Sequence, residues 1–328
     1  MFNFRNSGEE RSAGENLTLN QTSMTVSDVI SGHFDALTRA ERQLATSLLD
    51  NYPVSGLGSI TTVAENAGVS TPTVARMVQK LGFRGFPDFQ ARLHHELEAT
   101  LSSPISKHDR WAANAPGAHI LNRFADTIMN NLRQTLAHVE TAEFDSASAL
   151  LADRQRSIYI IGGRITKALA DYLFTHLQVI RPNVTQIASN PSSWPHYVLN
   201  MKAGDVLVIF DIRRYEQEME TLGRVAHERG VKIVLFTDQW ASPVAKVAAK
   251  VFRVQIEAPS AWDSSVVTLF IVEALIEAVQ SSGWEETSGR LKALEGLFEA
   301  SQLFRKPSAG SSAKVVAGTR KNRNKTVT

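Results

Sequence analysis

Cysteine is missing altogether, which excludes disulfides and thiolate metal sites. An excess of one charge is missing too. Thirty-five Lys and Arg face 33 Asp and Glu, for a formal net charge of +2, so the chain as a whole carries no signal of attraction to polyanions. No apolar run approaches the ~20 residues that a membrane helix needs. The first residues, MFNFRNSGEERSAGENL, lack the apolar core of a signal peptide. No spacing of His, Asp and Glu suggests a metal. The expectation is a cytoplasmic protein with no membrane partner, no metal and no cofactor.

What is present is a chain of 328 residues with 43% hydrophobic and 21% charged content, enough for two ordinary globular domains. Residues 1–27 are polar with little periodicity and read as a disordered tail. The other end, 305–328, carries Arg305, Lys306, Lys314, Arg320, Lys321, Arg323 and Lys325 without an acid. Two readings of that tail are open: non-specific attraction to DNA, or a solvated segment that does nothing specific.

Residues 28–98 have a helical pattern. In LTRAERQLATSLLDNY, Thr38 and Glu41 form a capping-box signature, and Leu37, Leu44, Ala45, Leu48 and Leu49 share one stripe. In SITTVAENAGVSTPTVARMVQKLGF, Gly68 suits a tight turn at positive φ. Ser70 or Thr71 can cap the next helix, with Pro72 in its first turn. Val74, Met77, Val78 and Leu81 then face inward, leaving Thr73, Arg76, Gln79 and Lys80 outward. Helix, glycine turn and a second helix with a polar outer face make a helix-turn-helix. Its candidate contacts to double-stranded operator DNA are Ser70, Thr71, Thr73, Arg76, Gln79, Lys80 and Arg84, reaching phosphates or base edges. The alternative is a helical hairpin with no DNA role, and the near-neutral charge of the region leaves it open.

These same stretches, through LGFRGFPDFQARL, closely resemble the N-terminal domain of the RpiR (MurR/RpiR) family of bacterial transcription regulators. The matching elements are Leu37-Thr38 with Glu41, the Ala-Gly-Val-Ser turn, Thr-Val-Ala-Arg in the second helix, and Leu-Gly-Phe-Arg-Gly-Phe with Phe89. The resemblance implies operator binding by an oligomer.

Residues 99–118, ATLSSPISKHDRWAANAPGA, are rich in Ser, Ala and Pro without a steady period and read as a linker. A long amphipathic helix follows, with Ile120, Phe124, Ile128, Leu132 and Leu136 on a stripe that packs on its own domain or on a second subunit. Five apolar strand candidates then alternate with helices: SIYIIG, VTQIA, DVLVIF, KIVLFT and VFRVQI. Continuous apolar runs between helices mean a parallel sheet covered on both faces. The fold class is therefore an all-α helix-turn-helix domain followed by an α/β doubly wound five-stranded parallel sheet over 119–283. With strand order 2-1-3-4-5, ligands belong at the switch point between the first and third strands. A last helix over 284–304, with Leu291, Leu294, Leu297 and Phe298 on one face, either helps oligomerise the chain or packs on its own domain.

IYIIGGRITKALADYL and MKAGDVLVIFDIRRYEQEMETLGRVAHERGVKIVLFTDQWASPVAKVAAKVFRV resemble the SIS (sugar isomerase) domain, a phosphosugar-binding fold that is the usual second half of RpiR regulators. The resemblance keeps Gly162 and puts Thr166 where a Ser or Thr is usual. It breaks at the third strand's loop. Phosphosugar binders carry a Ser-x-Ser-Gly-x-Thr turn there; this chain has Asp211, Arg213, Arg214 and Glu216. Candidate effector residues are Gly162, Gly163, Arg164 and Thr166 on the first loop and Asp211, Arg213, Arg214 and Tyr215 on the second. The family uses the start of the helix after the fifth strand near its ligand, which adds Ser264 and Ser265. One reading is an anionic effector, a phosphosugar or carboxylated compound, held by the arginines with Asp211 orienting one of them or bonding a hydroxyl. The other is an internal Asp–Arg ion pair in a ligand-free dimerisation domain. An isomerase would draw on His176, His196 or Glu273, but no acid–base pair is placed by the spacing, so no catalytic residue is expected. The whole reads as a homodimeric or homotetrameric DNA-binding regulator, not an enzyme.

Overall fold

The computed structural model describes residues 24–101, 103–113, 117 and 119–303. The basic residues expected in the C-terminal tail lie outside them. Most of the expected N-terminal tail lies outside them too; its last residues, expected as tail, belong to a helix that starts at Val26 behind a Thr25–Asp28 capping box.

The first half is helical: α1 (Val26–His33), α2 (Arg39–Asp50), α3 (Ile60–Asn66), α4 (Thr71–Lys80) and α5 (Phe86–Leu101). The Thr38–Glu41 capping box opens α2 as expected, and Ser59 caps α3. Gly68 has φ +63° in the turn between α3 and α4, where the Val69 N–H donates to the Ala64 carbonyl at 2.9 Å. A side chain at that φ would be strained, so glycine is what lets two short helices cross so closely. Leu44, Val63, Val74, Met77, Phe89 and Leu93 fill the core between them. Each such burial contributes about 1.5–3 kcal/mol. Glu96 of α5 staples the bundle by accepting from the Val26 N–H at 2.9 Å and from the Tyr52 hydroxyl. Burial pushes its carboxyl above the usual range.

Of the stretch 99–118, expected as an aperiodic linker, residues 99–101 and 104–113 are helical. Helix α5 runs on to Leu101, and α6 (Pro104–Ala113) follows after a short break. The missed signal is Ser103-Pro104. The Ser103 hydroxyl accepts from the Ser106 N–H at 3.2 Å, and Pro104 opens the first turn, where a missing N–H costs nothing. Composition made these residues look like loop.

The second half comprises α7 (Ile120–His138), α8 (Thr141–Ala152), β1 (Ile158–Gly162), α9 (Lys167–Ile180), β2 (Val184–Gln186), α10 (Trp194–Asn200), β3 (Val206–Phe210), α11 (Gln217–Glu228), β4 (Lys232–Asp238), β5 (Lys250–Val254), α12 (Val266–Ser282) and α13 (Trp284–Ser301). The sheet order is β2-β1-β3-β4-β5, and every pair is parallel, as expected. Alternation sends Ile158, Ile160, Val208 and Phe210 to one face beneath α9 and α12. It sends Tyr159, Ile161, Leu207 and Ile209 to the other beneath α10 and α11. Phe210, Phe236 and Phe252 stack across three strands at 4.5 and 5.1 Å.

Two observations place the ligand end of this sheet. Val206 pairs with both Ile158 and Lys232, so β1, β3 and β4 start level; Gly162 and Phe210 then end β1 and β3 beside Phe236, while β4 runs on to Asp238. Gly162 at the end of β1 then lets the chain turn at once into α9. A Cβ there would stand 2.6 Å from the Thr166 carbonyl oxygen and 2.9 Å from the Lys167 nitrogen. Both are backbone atoms that cannot swing away. Gly162→Ala is therefore expected to lower stability by about 1–3 kcal/mol, read as a fall in the urea midpoint. An unchanged midpoint would mean that the β1–α9 turn yields freely.

Candidate DNA interface and effector cleft

Helix α4 presents the polar face that its sequence implies, with one exception. Ser70 is its N-cap, and Ser70, Arg76 and Gln79 are exposed while Thr71 is half-buried. Thr73, expected outward, is buried, with its hydroxyl 2.9 Å from that of Ser70. It lies about a quarter turn from the centre of the Val74–Met77–Val78 stripe, at the edge of the face that packs inward. Lys80 and Arg84 are exposed but already paired. The Lys80 ammonium donates to the Ala36 carbonyl at 2.6 Å and to Glu41 at 3.0 Å. Arg84 meets Asp88 at 2.9 Å. Arg76 has no hydrogen-bond or ion-pair partner among the described residues.

The second site is a cavity of about 470 Å³ between the β1–α9 and β3–α11 loops. Of the residues expected there, Gly163, Arg164, Thr166, Asp211, Arg213, Arg214, Ser264 and Ser265 line it. Gly162 and Tyr215 do not. Gly162 is covered by the Thr166 backbone, and the Tyr215 hydroxyl points away to donate to Asp238 at 2.6 Å. Helices α9 and α12 both begin at this cavity, with Thr166 and Ser265 as their N-caps, and two helix N-termini favour negative charge.

The β3–α11 loop holds its shape through Asp238, a fully buried residue at the end of β4. Arg213 and Arg214 both sit in the left-handed region, at φ +52° and +51°, which costs an L-residue about 1–2 kcal/mol each. Asp238 offsets this by accepting from the Arg213 N–H at 2.7 Å, the Trp240 N–H at 3.0 Å and the Tyr215 hydroxyl. Burial pushes the Tyr215 hydroxyl far above the normal range, and the neighbouring Asp238 charge adds to this.

The two adjacent arginines therefore differ completely. Arg213 grips Asp263 with two parallel bonds of 3.0 and 2.8 Å, donates to the Ala99 carbonyl, and lies 4.4 Å over the Trp240 ring. Three of its five N–H groups are engaged inside the protein, so it is held by the fold and is not the free fork expected for a ligand. Asp211 does not orient an arginine either. It is buried, and accepts from the Ser242 hydroxyl and the Glu216 N–H. Desolvation pushes it up to about 6, and the Asp238 and Glu216 charges push the same way. The side chains of Arg164 and Arg214 are exposed and unpartnered among the described residues.

Sequence reasoning missed one wall of the cavity. Pro104 and Lys107 of α6 line it, and the Lys107 ammonium bonds Asp263. Burial alone would raise the Asp263 carboxyl, but Arg213 and Lys107 hold it below the usual carboxylate range. Lys107 lay in the stretch read as linker; the Ser103-Pro104 start puts it one turn into a helix. Trp262 and Glu216 also line the cavity. The candidate catalytic groups do not. Glu273 accepts from the Tyr172 hydroxyl at 2.9 Å, His176 stacks on the Tyr172 ring, and His196 lies on α10 beyond the opposite sheet face.

Comparison with known proteins is decisive for the family. The family model of the rpiR-type helix-turn-helix domain matches residues 24–100, and that of the SIS domain matches 150–278. The chain belongs to the RpiR family. It is a helix-turn-helix regulator of RpiR type with a SIS domain. It is 25% identical over 260 residues to the HTH-type transcriptional regulator HexR of Pseudomonas aeruginosa, across 76% of this chain and 87% of that protein. It is 29% identical over 254 residues to the bifunctional protein glk of Paraburkholderia xenovorans, but spans only 38% of that protein's length. The fold is shared with the sugar isomerase domain of an RpiR transcription factor from Sphaerobacter thermophilus. That match has a TM-score of 0.50 and 22% identity, over 53% of this chain and 97% of that one. It is shared also with Vibrio vulnificus NanR, described in complex with ManNAc-6P, with a TM-score of 0.50 and 17% identity, over 85% and 99% of the two chains.

Asp211 gives this RpiR-family SIS domain a pH signature. Its folded value of about 6 stands above its ordinary 3.8, so the native state binds the proton more tightly than the unfolded chain. Stability is then greatest where both states are protonated and declines as pH rises through 6. Asp211→Asn keeps an acceptor oxygen and loses the ionisation. It is expected to raise the denaturation midpoint at pH 7.5 and to lose that advantage near pH 4. Equal effects at both pH values would show that Asp211 ionises as an ordinary carboxylate.

Proposed function

We propose that this RpiR-family protein binds double-stranded operator DNA through α4 and that an anionic metabolite in the cleft, a phosphosugar or carboxylated compound, tunes that binding. Arg76, on the exposed face of α4 and without a partner among the described residues, is the base-reading or phosphate-reading cation, with Ser70, Thr71 and Gln79 beside it. Arg164, Arg214 and the exposed Ser265 hydroxyl hold the effector.

The observation that carries the proposal is the shared wall of the cavity. Helix α6 starts three residues after the end of α5, the last helix of the DNA-binding module, and its Lys107 reaches Asp263 in the cleft. A ligand that offers Lys107 a different anion changes the grip on α6. The DNA-binding module is thereby made sensitive to occupancy, provided that the ligand binds the two arrangements with different affinity. Support for a phosphosugar comes from the NanR relative, whose complex holds ManNAc-6P. The protein acts as a homo-oligomer in the cytoplasm. Helix α7 leaves Ile120, Leu121, Met129 and Leu136 exposed, and α13 leaves Trp284 and Leu297 exposed; a second copy would cover them and pair the reading heads on a palindromic or repeated operator. None of His176, His196 and Glu273 reaches the cavity, which favours a sensor over an isomerase. A ligand-free dimerisation module is the second reading, and the captive Arg213–Asp263 pair is the observation in its favour.

Arg76→Ala is expected to weaken operator binding by about 1–3 kcal/mol, measured by fluorescence anisotropy on a site obtained by in vitro selection. Unchanged affinity in a folded variant would move the contact away from α4. Arg164→Gln is expected to leave DNA affinity intact without effector, and to abolish the response to whichever phosphosugar or carboxylate shifts the wild type. If no member of a broad metabolite panel alters operator binding, the ligand-free reading takes its place.

A further inference from the structure

Glu216 is the residue of the cleft whose conformation its own helix does not explain. It is the N-cap of α11, yet its side chain makes no bond to that helix. The side chain crosses the cleft instead, and Oε1 accepts from the Arg164 backbone N–H at 3.3 Å. The same oxygen stands 3.1 Å from where a Cβ on Gly163 would be. That is closer than ordinary van der Waals contact, so the glycine leaves room for the carboxylate. The carboxylate therefore rests on the Gly163–Thr166 turn that leads into α9, where backbone N–H groups and the helix dipole favour negative charge. Two arginine side chains unpartnered among the described residues, Arg164 and Arg214, flank this place. Neither forms an ion pair with Glu216, although each lines the same cavity.

We infer that Glu216 sets which anions the cleft accepts: its carboxylate occupies the anion position on the Gly163–Thr166 turn, excludes free inorganic phosphate, and yields only to an anionic ligand with a body. The inference rests on the reading of this cleft as an effector site and specifies what that site selects. A phosphate ion entering the turn meets a like charge already there, and it has no other surface with which to compensate. A metabolite carrying the same anionic group fills more of the 470 Å³ cavity, a volume in the range of small-molecule sites. Contacts with Trp262, Ser265 and Lys107 then offset the displacement of Glu216. A sensor built this way ignores the small anions of its surroundings and answers to a whole molecule. The neighbourhood fits this placement. Asp211 and Glu216 lie close enough to repel, so a carboxylate at position 216 has an unfavourable neighbour in the loop, and the turn into α9 is what holds it there.

The test is isothermal titration of inorganic phosphate onto the full-length wild type, Glu216→Gln and Glu216→Ala, with folding of each followed by circular dichroism. Neither variant removes a cap from α11, because the side chain supplies none. The wild type should show no saturable phosphate binding up to millimolar concentration. Both variants should bind phosphate at least about tenfold more tightly, the size of effect expected from removing one like charge at close range. Adding Arg164→Gln to Glu216→Gln should take the gain away again and so place the phosphate on this turn. Wild-type phosphate binding as tight as that of Glu216→Gln overturns the inference, as does a failure of both folded variants to gain phosphate affinity. The effector reading fails separately: variants that gain phosphate affinity, in a protein whose operator binding answers no anion, keep the role of Glu216 and remove the sensor. A metabolite that shifts operator binding while the Glu216 variants stay blind to phosphate does the reverse.

Discussion

The Asp263 carboxylate gathers four separate stretches of chain. It sits just before α12, takes two parallel bonds from Arg213 of the β3–α11 loop, and accepts from Lys107 of α6. Arg213 passes the connection on to the Ala99 carbonyl of α5. The pair is largely buried, with side-chain exposures of 9% and 23%. Such a pair adds little net stability when it forms, because both ions must leave water, yet losing one partner costs about 3–5 kcal/mol. Its contribution is therefore geometric. It fixes where the DNA-binding module leaves the α/β half and where the cleft has its back wall.

Strong periodicity and complete local signals were legible in the sequence. The Thr38–Glu41 box, the Gly68 turn, the inward face of α4 and the order of the five strands all rest on patterns within a few residues or on the handedness of crossovers. The ligand mouth followed from topology, with Ser264 and Ser265 added by the family resemblance, and eight of the ten residues expected there line the cavity. What could not be read was the state of each charged side chain. Arg213 and Arg214 are neighbours of one type, and one is locked to Asp263 while the side chain of the other has no partner among the described residues. The difference lies with Asp263 and Ala99, which are distant in sequence. Asp211 was expected to orient an arginine or bond a hydroxyl, and Ser242, its distant partner, could not be read for the same reason. Lys107 was missed because Ser and Pro composition outweighed the helix start at Ser103-Pro104.

A similar sorting of charge occurs on α4. Lys80 and Arg84 are tied to Glu41 and Asp88, which leaves Arg76 as the cation of that face with no internal partner among the described residues. On the proposed reading, affinity for DNA then draws little on bulk phosphate attraction from this module. Orientation would come from a few placed groups, and salt dependence would be modest for each reading head. Such a module needs a second copy to reach useful affinity, which agrees with the exposed apolar residues of α7 and α13.

Helix α5 belongs to two cores at once. Phe89 and Leu93 are packed in the helical bundle, while Ala99 lies in the cluster beneath the sheet. The junction between the halves is thus a rigid rod seated at both ends, not a slack tether. From Ala99 to Phe89 is ten residues, about 15 Å of helix at 1.5 Å per residue. A tilt of about 10° at the cleft end would swing the far end by roughly 2.5 Å over that length. In a paired assembly the two swings add. That is a sizeable fraction of the roughly 12 Å width of a major groove, so a movement too small to disturb the sheet can decide whether both heads fit the same duplex.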